Sequence, residues 1–88
     1  MFVVLAYDIS SKKRAKIEKT CEKHLHHIQK SVFEGEISCA NLKRLKNTLA
    51  NLIDVNVDNV AIYRSEYPAI TVKEVIGKCI QNNQNNIY

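Results

Sequence analysis

One carboxylate is marked by its position. Asp8 ends the run Val3-Val4-Leu5-Ala6-Tyr7 and is followed by Ile9-Ser10-Ser11 and then a lysine-rich segment. A short β-branched run bounded by turn-forming serines reads as a buried strand, so Asp8 stands where that strand emerges into solvent. Two chemistries suit such a residue. In the first it is an oxygen donor for a divalent cation, although a single carboxylate holds Mg²⁺ poorly because the ion prefers several oxygens and keeps its waters. A two-fold axis near the strand end would bring two copies of Asp8 together, and the pair can hold one ion that activates a water against a phosphodiester. In the second it is a turn aspartate that accepts hydrogen bonds from the amides of Ser10 and Ser11. Spacing alone leaves both open.

Other reactive residue types offer less. His24 and His27 are three apart at an expected helix end, a spacing that suits a ligand pair, but no cysteine or acid completes a site. Helix C-terminal capping and solvation explain the His24, His26 and His27 group more simply. Cys21, Cys39 and Cys79 are an odd number at wide spacing, which speaks against a disulfide framework and a zinc knuckle. Cys21 falls on an apolar stripe and reads as a small core residue.

Basic side chains are grouped. Lys12, Lys13, Lys16, Lys19 and Lys23, with Arg14 near the helix start, form one face, and Lys43, Arg44 and Lys46 form another. Such faces are either solvated surface or a phosphate-neutralising surface that reads backbone charge with little base readout. Phe33 and Tyr63 can stack on bases, but core or interface packing suits both better.

The elements that position these residues follow from periodicity. Phe2–Tyr7 is the first strand. A helix over about Lys12 to His24, capped by Ser10 or Ser11, carries Ile17, Cys21 and Leu25 at i, i+4 and i+8. Ile28–Phe33 alternates as a strand. Glu34-Gly35-Glu36 reads as a tight reversal or bulge before a short strand at Glu36-Ile37, and the glycine would also admit a close backbone. Ser38 caps a second helix over about Cys39 to Ile53, whose Leu42, Leu45, Leu49, Leu52 and Ile53 make the clearest helical stripe. Val60–Tyr63 is a further strand. Beyond Pro68, which bars its amide from a ladder, Ile70–Ile76 is a short fifth strand closed by Gly77. Residues 1–77 form one domain, and the Gln/Asn-rich stretch within 78–88 is expected to be a flexible polar tail.

The order β-α-β-β-α-β plus a strand predicts an α+β, ferredoxin-like fold with both helices on one face of an antiparallel sheet. The other face should then turn polar, yet the first strand is apolar on both sides, as Phe2, Val4, Ala6 and as Val3, Leu5, Tyr7. A second copy is the simplest cover, which predicts a homodimer packed sheet to sheet, with Ile70–Ile76 available to the partner's sheet edge.

Composition sets bounds on this. The 88 residues suit one small domain, and a hydrophobic content of 45% excludes disorder. No apolar segment approaches the roughly 18 residues that cross a bilayer, and the N-terminal apolar run is too short for a signal peptide. A cytoplasmic protein without membrane contact is expected. Thirteen Lys and Arg against nine acids, net +4, suit a nucleic-acid partner without requiring one.

Several of these residues together resemble a known family. Tyr7-Asp8-Ile9 at the strand end, Gln29-x-Ser31-Val32-Phe33-Glu34-Gly35-Glu36, the leucine-patterned helix, the Asp58-to-Tyr63 strand and Glu74-Val75-Ile76-Gly77 look like the CRISPR-associated protein two family. The likeness covers about residues 1 to 77. It implies a ferredoxin-like homodimer in the adaptation stage of CRISPR antiviral defence, partnered with the adaptation integrase. It also implies an Mg²⁺- or Mn²⁺-dependent endonuclease on RNA or double-stranded DNA, or a scaffold for which cleavage is dispensable. Carried onto this chain, it makes Asp8 the metal and catalytic residue, Tyr7 its catalytic neighbour and Arg14 a basic contact near the helix start. Ser31 and Phe33 become hairpin positions near the site, while Lys12, Lys13, Lys16, Lys43 and Arg44 are the nucleic-acid contacts that the grouping of basic residues suggests. A non-catalytic adaptor and a toxin-type ribonuclease of the same fold are the alternatives.

Overall fold

A computed structural model describes residues 1–66 and 70–78. The expected polar tail and Pro68 lie outside them. The elements are β1 (Phe2–Asp8), α1 (Arg14–Glu22), β2 (His26–Gln29), β3 (Val32–Glu36), α2 (Cys39–Leu52), β4 (Asn59–Glu66) and β5 (Ile70–Gly77). The strands form one antiparallel sheet in the order β2-β3-β1-β4-β5. That is the expected ferredoxin-like α+β arrangement with β1 at its centre.

Alternation decides the faces. Val3, Leu5 and Tyr7 of β1, Phe33 of β3, and Val60 and Ile62 of β4 point into one core with Ile17 and Cys21 of α1 and Leu42, Leu45 and Leu49 of α2. The leucine stripe of α2 therefore packs as its spacing requires. Ser38 caps that helix, its hydroxyl accepting from the Asn41 amide at 3.1 Å. The opposite face carries Phe2, Val4, Ala6, Val32, Ala61, Tyr63 and Val75, with neither helix over it. Phe2, Tyr63 and Val75 are 38%, 37% and 41% exposed.

Two expectations are corrected. The β2–β3 reversal falls at Lys30–Ser31, and Gly35 lies inside β3 opposite Val3. Its φ of +156° is a conformation that other residues rarely adopt, whereas an added Cβ would meet Leu25 Cδ2 at an ordinary 3.4 Å, so the glycine serves the strand's backbone conformation. Helix α1 is shorter at both ends than expected and starts at Arg14 with Lys13, not a serine, in the N-cap position and no side-chain cap. Strand β5 pairs along its whole length with β4 of its own chain, from Asn59↔Gly77 to Glu66↔Ile70, and forms one edge of the sheet. Gly77, at φ +99°, packs against the start of β4, where a Cβ would lie 2.3 Å from the Asp58 carbonyl.

Candidate functional site

Asp8 is the last residue of β1 and faces away from the core, by the same alternation that buries Tyr7. Its carboxylate is exposed and, among the described residues, has neither a hydrogen-bond nor an ion-pair partner. The turn-aspartate alternative depends on the Ser10 and Ser11 amides, and a different residue holds them. Asp58, wholly buried in the connection before β4, accepts from the Ser10 amide at 2.8 Å and the Ser11 amide at 3.0 Å on Oδ1. Its Oδ2 accepts from the Ser11 hydroxyl at 2.7 Å and the Asp54 amide at 2.9 Å. Burial by itself would raise the Asp58 pKa. The Asp54 amide and the donors of Ser11 and Ser10 outweigh that and bring it down to about 2. A permanent buried anion thus pins the loop that follows Asp8, and Asp8 is left free.

Sequence reasoning missed Asp58 as a site-shaping residue. The one available signal was an acid immediately before an apolar strand, in a stretch otherwise read as a polar connection.

Tyr7 and Asp8 are neighbours in sequence on opposite faces of the sheet. The Tyr7 ring is buried, and its hydroxyl lies against the Glu18 carboxylate and 2.8 Å from the Lys30 carbonyl. Burial, and then the Glu18 carboxylate, push its pKa well above that of a free phenol. The single phenolic proton is held inside the fold, tying β1 to α1 and to the β2–β3 turn. Phe33 is fully buried, stacked on His27 at 4.3 Å between centroids and tilted against Tyr7 at 6.2 Å. No ring face remains for a base, so its expected role in nucleic-acid contact is corrected to core packing. Ser31 is half-buried in the turn, where its carbonyl accepts from the Tyr7 amide at 3.0 Å.

The basic candidates divide into two places. Lys12, Lys13, Arg14 and Lys16 are exposed at the start of α1, beside the Asp8 loop, where the Arg14 Nη2 reaches the Ile9 carbonyl at 3.4 Å. Lys43 and Arg44 are exposed on α2 at the far end of β1. There Lys43 lines a shallow depression with Met1 and Arg64, roughly 20 Å from Asp8 along the strand. Lys46, on the same helix, is held by Glu74 at 3.0 Å.

The histidines do not converge. His26 faces Glu34 on the open side of the sheet, while His27 stacks on the core. Burial, followed by the nearby Glu18 and Glu22 charges, pushes the Cys21 thiol up to about 12, so it is a neutral core group. Among the described residues no three His, Cys, Asp or Glu side chains are grouped to hold a metal ion. Asp8 nevertheless offers the kind of hard oxygen donor that Mg²⁺ takes, as one unengaged carboxylate. No helix among the described residues is long and apolar enough to cross a membrane.

Comparison with known proteins gives a consistent result. A family model for the CRISPR associated protein Cas2 matches residues 1–71. A Frankia alni protein named CRISPR-associated endoribonuclease Cas2 is 39% identical over 85 residues, which span 97% of this chain and 98% of that one. A Fusobacterium nucleatum protein of the same name is 40% identical over 82 residues, covering 88% of this chain and 77% of its own length. The crystal structure of Streptococcus pyogenes Cas2 at pH 6.5 superposes with a TM-score of 0.70 at 26% identity, covering 77% of this chain and 89% of that one. A second Cas2 crystal structure gives 0.68 at 35% identity over 72% and 71% of the two chains. The strand-end aspartate and the sheet beneath it thus stand in a framework shared along almost the whole sequence, and this chain belongs to the CRISPR-associated Cas2 family, whose curated relatives are named endoribonucleases.

Proposed function

We propose that this protein is a metal-dependent endonuclease that cleaves RNA phosphodiesters, acting as a homodimer in which the two Asp8 carboxylates face one another. The observation that carries the reading is the unengaged Asp8 carboxylate beside a loop whose amides are already satisfied by Asp58. A carboxylate that neither caps nor pairs, held at the end of a rigid central strand, has no structural task that explains it. The relatives' name, endoribonuclease, points the same way.

The apolar face of β1, β3, β4 and β5 supports the dimer. Burying Phe2, Val4, Tyr63 and Val75 against a second copy removes apolar surface that the chain's own helices leave in water. Asp8 lies at the border of that face. A bound Mg²⁺ or Mn²⁺ would supply an activated water and neutralise charge developing on the phosphate. The chain's own residues do the rest. Asp8 offers the donor, and Asp58 fixes the loop behind it. Lys12, Lys13, Arg14 and Lys16 attract the phosphate backbone. Tyr7, with its proton committed inside the fold, acts as a positioning residue and not as an acid.

Membership of the Cas2 family sets aside the toxin-type ribonuclease alternative. It also favours a cytoplasmic role in CRISPR adaptation beside the integrase, in which the same lysines would carry duplex DNA. A cleavage assay on RNA and on duplex DNA, with and without Mg²⁺, tests the reading in wild type and Asp8→Ala. RNA cleavage that needs Mg²⁺ and disappears in the variant supports it. Undiminished cleavage by Asp8→Ala defeats it, and duplex binding with no cleavage by wild type supports the adaptor instead.

A further inference from the structure

Asp8 has a neighbour that no sequence pattern announces. In the β1–β4 ladder it is paired directly with Asn59, the first residue of β4. Directly opposed residues of an antiparallel pair share a face, with Cβ atoms about 4.5–5.5 Å apart. Val60, the next residue, is fully buried, so Asn59 faces away from the core, as Asp8 does.

The Asn59 amide is also oriented. Its Nδ2 donates to the Lys78 carbonyl at 3.0 Å, just beyond the end of β5. A carbonyl accepts only from the NH₂ end of the amide, so this bond fixes which atom is which. Nδ2 is engaged on the β5 side of β4, which leaves Oδ1 as the amide atom available to a ligand. Among the described residues Oδ1 has no donor.

We propose that the Asn59 Oδ1 is a second protein oxygen for the divalent ion held by Asp8. This rests on the reading of Asp8 as the metal residue and deepens it. One carboxylate and one neutral amide oxygen on adjacent strands offer two hard donors from a single protomer, and an ion that keeps most of its waters needs few protein ligands. A two-fold partner then doubles a half-site that already has two oxygens. The bond to Lys78 fixes the amide in advance, so little side-chain freedom is lost on binding.

The test is Mn²⁺ binding to the full-length protein, followed by the decline of the free-ion EPR signal, in wild type, Asp8→Ala, Asn59→Ala and Asn59→Asp. Asn59→Ala should weaken binding about tenfold, within the range seen when a group that supports a metal is removed. Asn59→Asp, which replaces the amide oxygen with a charged one, should bind at least as tightly as wild type. Thermal midpoints of the variants check that the fold survives the loss of the Lys78 contact. If Asp8→Ala loses Mn²⁺ while Asn59→Ala binds like wild type, or Asn59→Asp is as weak as Asn59→Ala, the Asn59 assignment is overturned and the Asp8 reading stands. If Asp8→Ala binds Mn²⁺ as wild type does, both fall.

Discussion

The Asp58 carboxylate lies 2.8 Å from the amide of Ser10, a residue 48 positions earlier in the chain. This contact releases Asp8 from its own turn. The loop after β1 presents amides that a local aspartate could take, and a distant one takes them. A carboxylate that would otherwise have capped its own turn is left facing solvent. The buried anion and the exposed one therefore have separate tasks, set by the β1–β4 pairing that brings their segments together.

Removing Asp58 should cost stability. Asp58→Ala leaves the Ser10, Ser11 and Asp54 amides without an acceptor, and each buried orphan donor costs about 1–3 kcal/mol. Partial solvation in the opened space offsets some of this. The expected loss is about 3 kcal/mol, a large share of the stability of a small domain, and urea unfolding measures it. A midpoint equal to wild type would show that the carboxylate is not holding the loop.

The same residue sets an acid limit. Its pKa is about 2 in the folded chain against 3.8 for a free aspartate, so the native state holds the charged form more tightly than the unfolded state does. That contribution is present in full above about pH 4 and is lost as pH falls toward 2. Thermal midpoints taken between pH 5 and pH 2 should fall more steeply for wild type than for Asp58→Asn, which has no charge to lose. Parallel curves would refute the assignment.

How far the sequence revealed this differs from residue to residue. The Leu42, Leu45 and Leu49 stripe was legible because helical spacing is local and α2 buries the face that spacing marks. The two-sided apolar pattern of β1 was legible for the same reason. The β2–β3 turn was not, because Lys30 and Ser31 are ordinary residues and Gly35 attracted the reversal. That glycine is explained by its φ of +156° inside the strand, a backbone demand that spacing does not announce. Asp58 and Asn59 were invisible as site residues because their significance lies in partners across the sheet. A fully buried Phe33 could not be told from an exposed stacking ring by type alone.

Tyr7→Phe separates positioning from chemistry. The ring and its packing remain, while the hydroxyl that joins Glu18 and the Lys30 carbonyl is lost. A stability loss of about 1–2 kcal/mol is expected, with Mg²⁺-dependent cleavage reduced only modestly. Cleavage falling as far as in Asp8→Ala would instead make the phenol a participant in the reaction.

A charge on the open sheet face should break the dimer. Val4 lies at the middle of β1 on that face, flanked by Glu34 on β3 and Tyr63 on β4. Val4→Asp would bury an unpaired carboxylate in a sheet-to-sheet interface, a cost of several kcal/mol, while leaving the helix-side core untouched. Sedimentation should show a dimer for wild type and a monomer for the variant, with the far-UV spectrum unchanged and metal-dependent cleavage lost. A monomer that cleaves at the wild-type rate would mean one Asp8 is enough.

The lysines at the start of α1 should govern affinity through salt. Lys12, Lys13 and Lys16 are exposed beside the Asp8 loop, and among the described residues none of them forms a salt bridge. For single-stranded RNA the logarithm of affinity falls with the logarithm of salt at about 0.7 per phosphate neutralised. Replacing all three lysines with alanine should therefore lower that slope by about 2 and weaken binding at low salt most. The effect should be similar for every RNA sequence, because such contacts read charge and not bases. Lys43→Ala with Arg44→Ala, roughly 20 Å away along the strand, is the control within the same molecule. If both sets lower the slope equally, the nucleic acid spans the whole helical face. If only the α2 pair does, the strand-end aspartate and the binding surface lie at opposite ends, and the proposed cleavage geometry fails.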